Sequence, residues 1–227
     1  MLSAVSWHEP ANIWKVQGLT LEDIERLATA GRVERIARRS IVPLDGPTLM
    51  IVIDGWFRVF RNAAFVRDVT LFLAHTGDVL AANSLFGERS AESGAEAIGD
   101  ASVVVLSREA FEQFAADDPG LYVKLAGNLG RRVSRIQQKI EAVSRATVEA
   151  RVAVALLDIA DDFGVPVAAG TRLDLPLSQE DLASLAGTSR ESCSQAVAAF
   201  ARSGFVKGSR LRGLIVTDRD GLRALLP

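Results

Sequence analysis

Four polar side chains, Arg190, Glu191, Ser194 and Gln195, are spaced to share one side of a helix. Side chains of these types can read nucleobase edges. Arginine donates two parallel hydrogen bonds to guanine, glutamate accepts from the cytosine amino group, and glutamine favours adenine. Cys193, Val197, Phe200 and Ala201, spaced four, three and one apart, form the apolar inner side of the same helix. No other constellation points to chemistry. The sequence holds no nucleophile–base motif, no glycine loop of the phosphate-cradling kind and no metal-ligand spacing, so an enzyme is not expected. Its single cysteine, Cys193, cannot make an internal disulfide or a four-thiolate site, which excludes an iron–sulfur cluster. Burial on the apolar side makes that thiol a packing group rather than a redox switch.

The elements that position these residues are legible around them. Ser178 with Asp181 three residues on opens a helix, Leu182, Leu185 and Ala186 give it an inner face, and Gly187 ends it. Thr188 and Glu191 repeat the capping pattern, and a second helix follows to about Ser203-Gly204. Glu191 therefore has two readings, capping partner or base contact. A short helix, a tight turn and a helix with a polar outer face match a helix-turn-helix.

Upstream, Tyr122, Ala126, Leu129, Val133, Ile136, Ile140, Val143 and Thr147 alternate steps of four and three, the seam of a coiled coil. They predict a long helix from about Pro119 towards Phe163, flanked by Arg131, Arg132, Arg135 and Lys139, that pairs with a second copy; the alternative is a helix packed on its own domain. A second helix-like stretch, Val148 to Ala160, leads into a loop at 162–166, and a domain boundary is expected near Ser144 to Glu149. Further upstream, Leu19 to Gly31 reads as a short helix that Thr20 can cap, and the stretch from Val33 to Leu106 as short strands. Asp54-Gly55 between two apolar runs predicts a hairpin, with more strands at Asp68 to Leu73 and Ala101 to Leu106. Phe111 and Phe114 belong to a short helix ended before Pro119. The reading is an α+β chain with a small β-roll, a long helix and a C-terminal winged helix-turn-helix. Its segments are 1–118, 119–147 and 148–227.

The motif LSQEDLASLAGTSRESCSQAVAAFARSGFV, residues 177–206, resembles the C-terminal domain of the CRP/FNR transcription regulators. The likeness continues through the strand-like runs 173–176 and 211–216 of the flanking hairpin and wing, and more weakly back over the long helix and the β-roll. It implies that Arg190, Glu191, Ser194 and Gln195 read bases, Gln195 standing where the family usually carries a second arginine. It implies that Ser178, Ser189, Lys207, Arg210 and Arg212 approach phosphate. Its β-roll is of the cyclic-nucleotide-binding type. That site uses a Gly-Glu pair on the ribose and an Arg-Ser or Arg-Thr on the phosphate. Here Ala81-Ala82 and Ala91 stand at those places, and Arg89-Ser90 can serve as effector ligands only if the loop shifts. The missing charge-assisted hydrogen bonds are worth roughly 1.5–3 kcal/mol each, so cyclic AMP in the usual mode is not expected. A lone His75 in a β-roll turn reads as structural, so haem is not expected either.

The functional expectation is a homodimeric, sequence-specific regulator on double-stranded DNA with inverted half-sites, with RNA polymerase as a further partner. The alternative is a ligand-sensing module that acts through protein contacts. The outer face of 190–195 lacks apolar anchors, which suits a DNA groove better than a protein hot spot. The net charge of −2 is neutral on this point, since a basic patch can sit inside a balanced total. Neither a membrane-length apolar run nor a secretory start is present, so a cytoplasmic location is expected.

Overall fold

A computed structural model describes residues 19–44, 48–63, 66–81, 93–145, 147–208 and 213–226. Two compact units result, Met1–Arg67 with Leu71–Val133, and Asp68–Thr70 with Ser134–Pro227. The chain is thus divided differently from 1–118, 119–147 and 148–227: the first half of the long helix goes with the β-roll, because Leu121 and Leu125 are buried in the core of that unit.

The first unit opens with α1 (Leu21–Ala30), followed by β1 (Arg32–Ile36), β2 (Ile41–Pro43), β3 (Thr48–Asp54), β4 (Trp56–Ala63), β5 (Val66–His75), β6 (Val79–Leu80), β7 (Ser93–Ala97) and β8 (Ala101–Ser107). Then come α2 (Arg108–Asp117) and α3 (Gly120–Arg145). The strands make two sheets, ordered β1-β8-β3-β6 and β2-β7-β4-β5. The middle of strand β3, Leu49 to Ile53, is apolar at every position because both its faces meet a core. Leu49, Ile51 and Ile53 alternate inward to a core shared with Ile24, Leu27, Phe111, Leu121 and Leu125 from the helices. Val52 faces the other way, into a core with Phe57, Val59, Ala95 and Val103.

The expected Asp-Gly hairpin is not one. β3 pairs with β8 and β6, whereas β4 lies in the other sheet. Gly55 is the corner between the sheets. Its φ of +85° is a left-handed conformation that glycine tolerates, and an added Cβ would meet Ala101 Cβ at 2.6 Å. The capping reading of Thr20 is met in full: its hydroxyl accepts from Asp23 N, and the Asp23 carboxylate returns to Thr20 N.

The long helix ends at Arg145. Thr147, expected in the seam, is instead the N-cap of α4 (Val148–Phe163), with extended φ/ψ of −61° and 167° and its hydroxyl accepting from Ala150 N. A threonine competes for backbone donors, and here that local bond outweighs continuation of the 3–4 period. The loop expected at 162–166 is also corrected: Asp162 and Phe163 close α4, and β9 (Gly164–Val167) starts at once.

The second unit continues with β10 (Gly170–Leu173), α5 (Gln179–Leu185), α6 (Arg190–Arg202), β11 (Val206–Lys207), β12 (Leu214–Val216) and α7 (Arg219–Arg223). Its strands form an antiparallel sheet ordered β11-β12-β10-β9. Helix α6 packs on α4 and α5. Among the described residues, no helix is long and apolar enough to cross a membrane.

Candidate nucleic-acid interface

Helix α5 is held at its start by a reciprocal cap. Ser178 Oγ accepts from Asp181 N at 3.2 Å, while Asp181 Oδ2 accepts from Ser178 N at 2.8 Å and Ser178 Oγ at 2.6 Å. The Ser178 hydroxyl thus donates to a buried carboxylate. The turn after α5 needs Gly187, whose φ is +61°. Thr188 N then donates back to Ala183 O at 2.9 Å and closes the turn.

The cap of α6 is Ser189, not Thr188: its Oγ accepts from Ser192 N at 3.1 Å and donates to Ser192 Oγ at 3.0 Å. The N-cap role expected of Thr188 is thus taken by Ser189. The inner face is Cys193, Ala196, Val197 and Phe200; Ala201, expected there, is exposed, because positions 193, 196, 197 and 200 follow the helical period and 201 turns outward. Cys193 is fully buried, and burial, with a smaller contribution from the Glu180 charge, pushes its thiol up to about 11.

The outer face carries the base-reading candidates together. Arg190, Glu191 and Gln195 are exposed and Ser194 is half-buried. Arg190 occupies the first helical position, beside the positive end of the helix dipole, where a cation is disfavoured by a few tenths to about 1 kcal/mol. Helix stability alone does not call for arginine there. Exposed Ser189 and Lys207 lie before α6 and in β11. Arg210 and Arg212 lie outside the described residues, as do Arg89, Ser90, Ala82 and Ala91.

The seam residues of α3 divide. Tyr122, Val133 and Ile140 are exposed at 44%, 53% and 63%, high for large apolar groups, and Ala126 is exposed with them. Ile136 is half-buried, Leu129 packs against the core of its own unit, and the Val143 side chain lies outside the described set. The polar partners of α3 were not anticipated from the sequence. Lys124 Nζ donates to both Asp23 oxygens at 2.7 Å, and Asn128 Nδ2 donates to Asp78 Oδ1 at 3.1 Å. Arg132 donates to Val79 O and lies over the Phe72 ring. The signal was a row at i, i+4 and i+8 beside the apolar seam.

The His75 ring lies against Trp56, 5.6 Å between ring centroids, and the backbone N–H of His75 donates to Asp78 Oδ2 at 2.9 Å. Among the described residues, no group of three or more His, Cys, Asp or Glu could hold a metal ion.

Two family profiles match: "Crp-like helix-turn-helix domain" over residues 150–225, and "Cyclic nucleotide-binding domain" over residues 44–118. The chain is 32% identical over 178 residues to a "CRP-like cAMP-activated global transcriptional regulator" of Mycobacterium tuberculosis, covering 78% of each. It is 30% identical over 162 residues to a "Cyclic AMP receptor protein" of Thermus thermophilus, covering 71% of this chain and 72% of the other. Among solved structures, FixK2 of Bradyrhizobium japonicum superposes with a TM-score of 0.74 at 24% identity, covering 87% of this chain and 98% of the other. A CooA variant of Carboxydothermus hydrogenoformans gives 0.77 at 20% identity, covering 91% and 94%. At these identities the two structures bear on the fold alone.

Proposed function

The chain belongs to the CRP/FNR family of transcription regulators, and on that premise we propose that it binds double-stranded DNA in a sequence-specific way as a homodimer. The observation that carries this reading is the outer face of α6. Arg190, Glu191 and Gln195 stand exposed on a helix whose start is capped and whose back is buried, with an arginine where the helix dipole disfavours one. Arg190 reads guanine, Glu191 cytosine and Gln195 adenine, with Ser194 beside them. Lys207, Arg210, Arg212 and Ser189 supply phosphate contacts without sequence preference. Two copies pair along α3 through Tyr122, Ala126, Val133, Ile136, Ile140 and Val143. Both half-sites are then inverted and about one helical turn apart. RNA polymerase is the partner on the regulatory side.

For the effector, the substitutions Ala82 and Ala91 weigh more than the names of the relatives. They remove the carboxylate and the guanidinium that would hold the ribose and the cyclic phosphate, and we infer that DNA binding does not require cyclic AMP. Purified protein is mixed with random duplex, with and without cyclic AMP, and bound sequences are selected by gel shift. Enrichment of an inverted repeat in both arms is expected. Enrichment only with cyclic AMP, together with a micromolar isotherm by calorimetry, overturns the effector reading; no enrichment in either arm overturns the DNA reading.

A further inference from the structure

Helix α3 carries two rows of side chains, and the seam accounts for one of them. The other is Lys124, Asn128 and Arg132, and each of its members reaches a different part of the β-roll unit. Lys124 holds Asp23 in the first turn of α1. Asn128, only 4% exposed, holds Asp78 between β5 and β6. Arg132 donates to Val79 O of β6 and stacks on Phe72 of β5, with 4.3 Å from guanidinium carbon to ring centroid. The acceptors are themselves fixed. Asp23 also accepts from Thr20 N and Oγ, and Asp78 from His75 N. At roughly 100° per residue, this row is centred about 120° around the helix from the seam.

Leu121 and Leu125 already bury the near side of α3, so adhesion does not need the polar row. Apolar contact is non-directional and lets a helix rotate or slip. Directed hydrogen bonds at successive turns allow one rotation and one register, the use for which buried polar groups are best attested. We propose that Lys124, Asn128 and Arg132 are positioning residues that set the rotation of α3 on the roll, and so aim the seam at a second copy without an effector. The last step rests on the homodimeric reading above; the fixing of α3 itself does not.

The test exchanges donor and acceptor. Asn128→Asp sets two carboxylates face to face at nearly unchanged volume, and adding Asp78→Asn restores a donor–acceptor pair with the roles swapped. The single variant should raise the dimer dissociation constant about tenfold and speed hydrogen exchange of amides 128–136 by a similar factor, and the double variant should recover both. A role in packing alone predicts no recovery. Unchanged exchange in the single variant, or a folded double variant that stays as weak as the single one, overturns the proposal. If the single variant does not fold, Arg132→Met, which keeps an apolar stem over Phe72 and removes the donor, should show the same faster exchange; exchange as slow as wild type overturns the proposal. If the wild type is a monomer, the dimer reading fails on its own, and the exchange rates still decide whether the row fixes α3.

Discussion

The β-roll unit and the helix-turn-helix unit place their polar side chains in opposite ways. In the roll, Asp23, Asp78 and Glu96 turn inward and meet Lys124, Asn128, Arg39 and Arg58 of the same unit. In the helix-turn-helix, Ser178, Asp181 and Ser189 cap helices, while Arg190, Glu191 and Gln195 turn outward. A charge that the protein itself neutralises sets geometry, whereas an exposed charge such as Arg190 can be offered to a partner. The same contrast recurs on α3, where one row of side chains meets the roll and a neighbouring stripe leaves Val133 and Ile140 more than half exposed.

The most drastic way to break this contrast is to place charge on the stripe assigned to a second copy. Val133→Asp with Ile136→Asp should convert the dimer to monomers by light scattering, since unpaired carboxylates would have to be buried in the seam. An unchanged dimer mass counts against the seam.

A second test removes an inward charge from the roll. Glu96 sits between Arg58 at 2.6 Å and Arg39 at 2.8 Å, and the Glu96 and Arg58 side chains are only 11% and 12% exposed. Burial raises the Glu96 pKa, but hydrogen bonds and charge from Arg39 and Arg58 outweigh it and leave the carboxyl below its ordinary 4.5. Glu96→Ala leaves Arg58 without this counter-charge and should cost about 3–5 kcal/mol in urea unfolding. Because the folded pKa is lowered, the stabilisation is complete above the ordinary value and is lost as pH falls below 4.5 towards the folded one. The acid limb of the stability profile should therefore flatten in Glu96→Ala. An unaltered limb would show that the ion pairs contribute nothing.

The local signals in the sequence were read more truly than the tertiary ones. The Ser178–Asp181 cap and the cap at Thr20 need only residues three apart, and both are as expected. The Asp54-Gly55 turn was real as a turn. Whether β3 and β4 pair depends on β8 and β7, which are distant in the chain, and those partners outcompeted the hairpin. Thr147 continued the seam arithmetically, but its hydroxyl caps α4. Of the polar row on α3 only Arg132 stood out in the sequence, as a flank of the seam, because the partners Asp23, Asp78 and Val79 lie about 50 to 100 residues away.

A smaller effect sharpens the contrast within α6. Cys193 is fully buried with its thiol near 11, so at pH 8 about one molecule in a thousand carries a thiolate. A disulfide-exchange reagent should leave the folded protein unmodified over an hour and react at once in urea. Rapid modification of the native protein would mean that the inner face of α6 opens.

The measurement closest to the central claim compares selected-sequence profiles for the wild type and Arg190→Ala. The wild type should enrich an inverted repeat with half-sites roughly 34–36 Å apart. Arg190→Ala should lose about 1–3 kcal/mol on that site and relax the preference at one base pair in each half. A profile that Arg190→Ala leaves unchanged, or selected sites without an inverted repeat, would contradict the assignment of α6 as the helix that reads DNA.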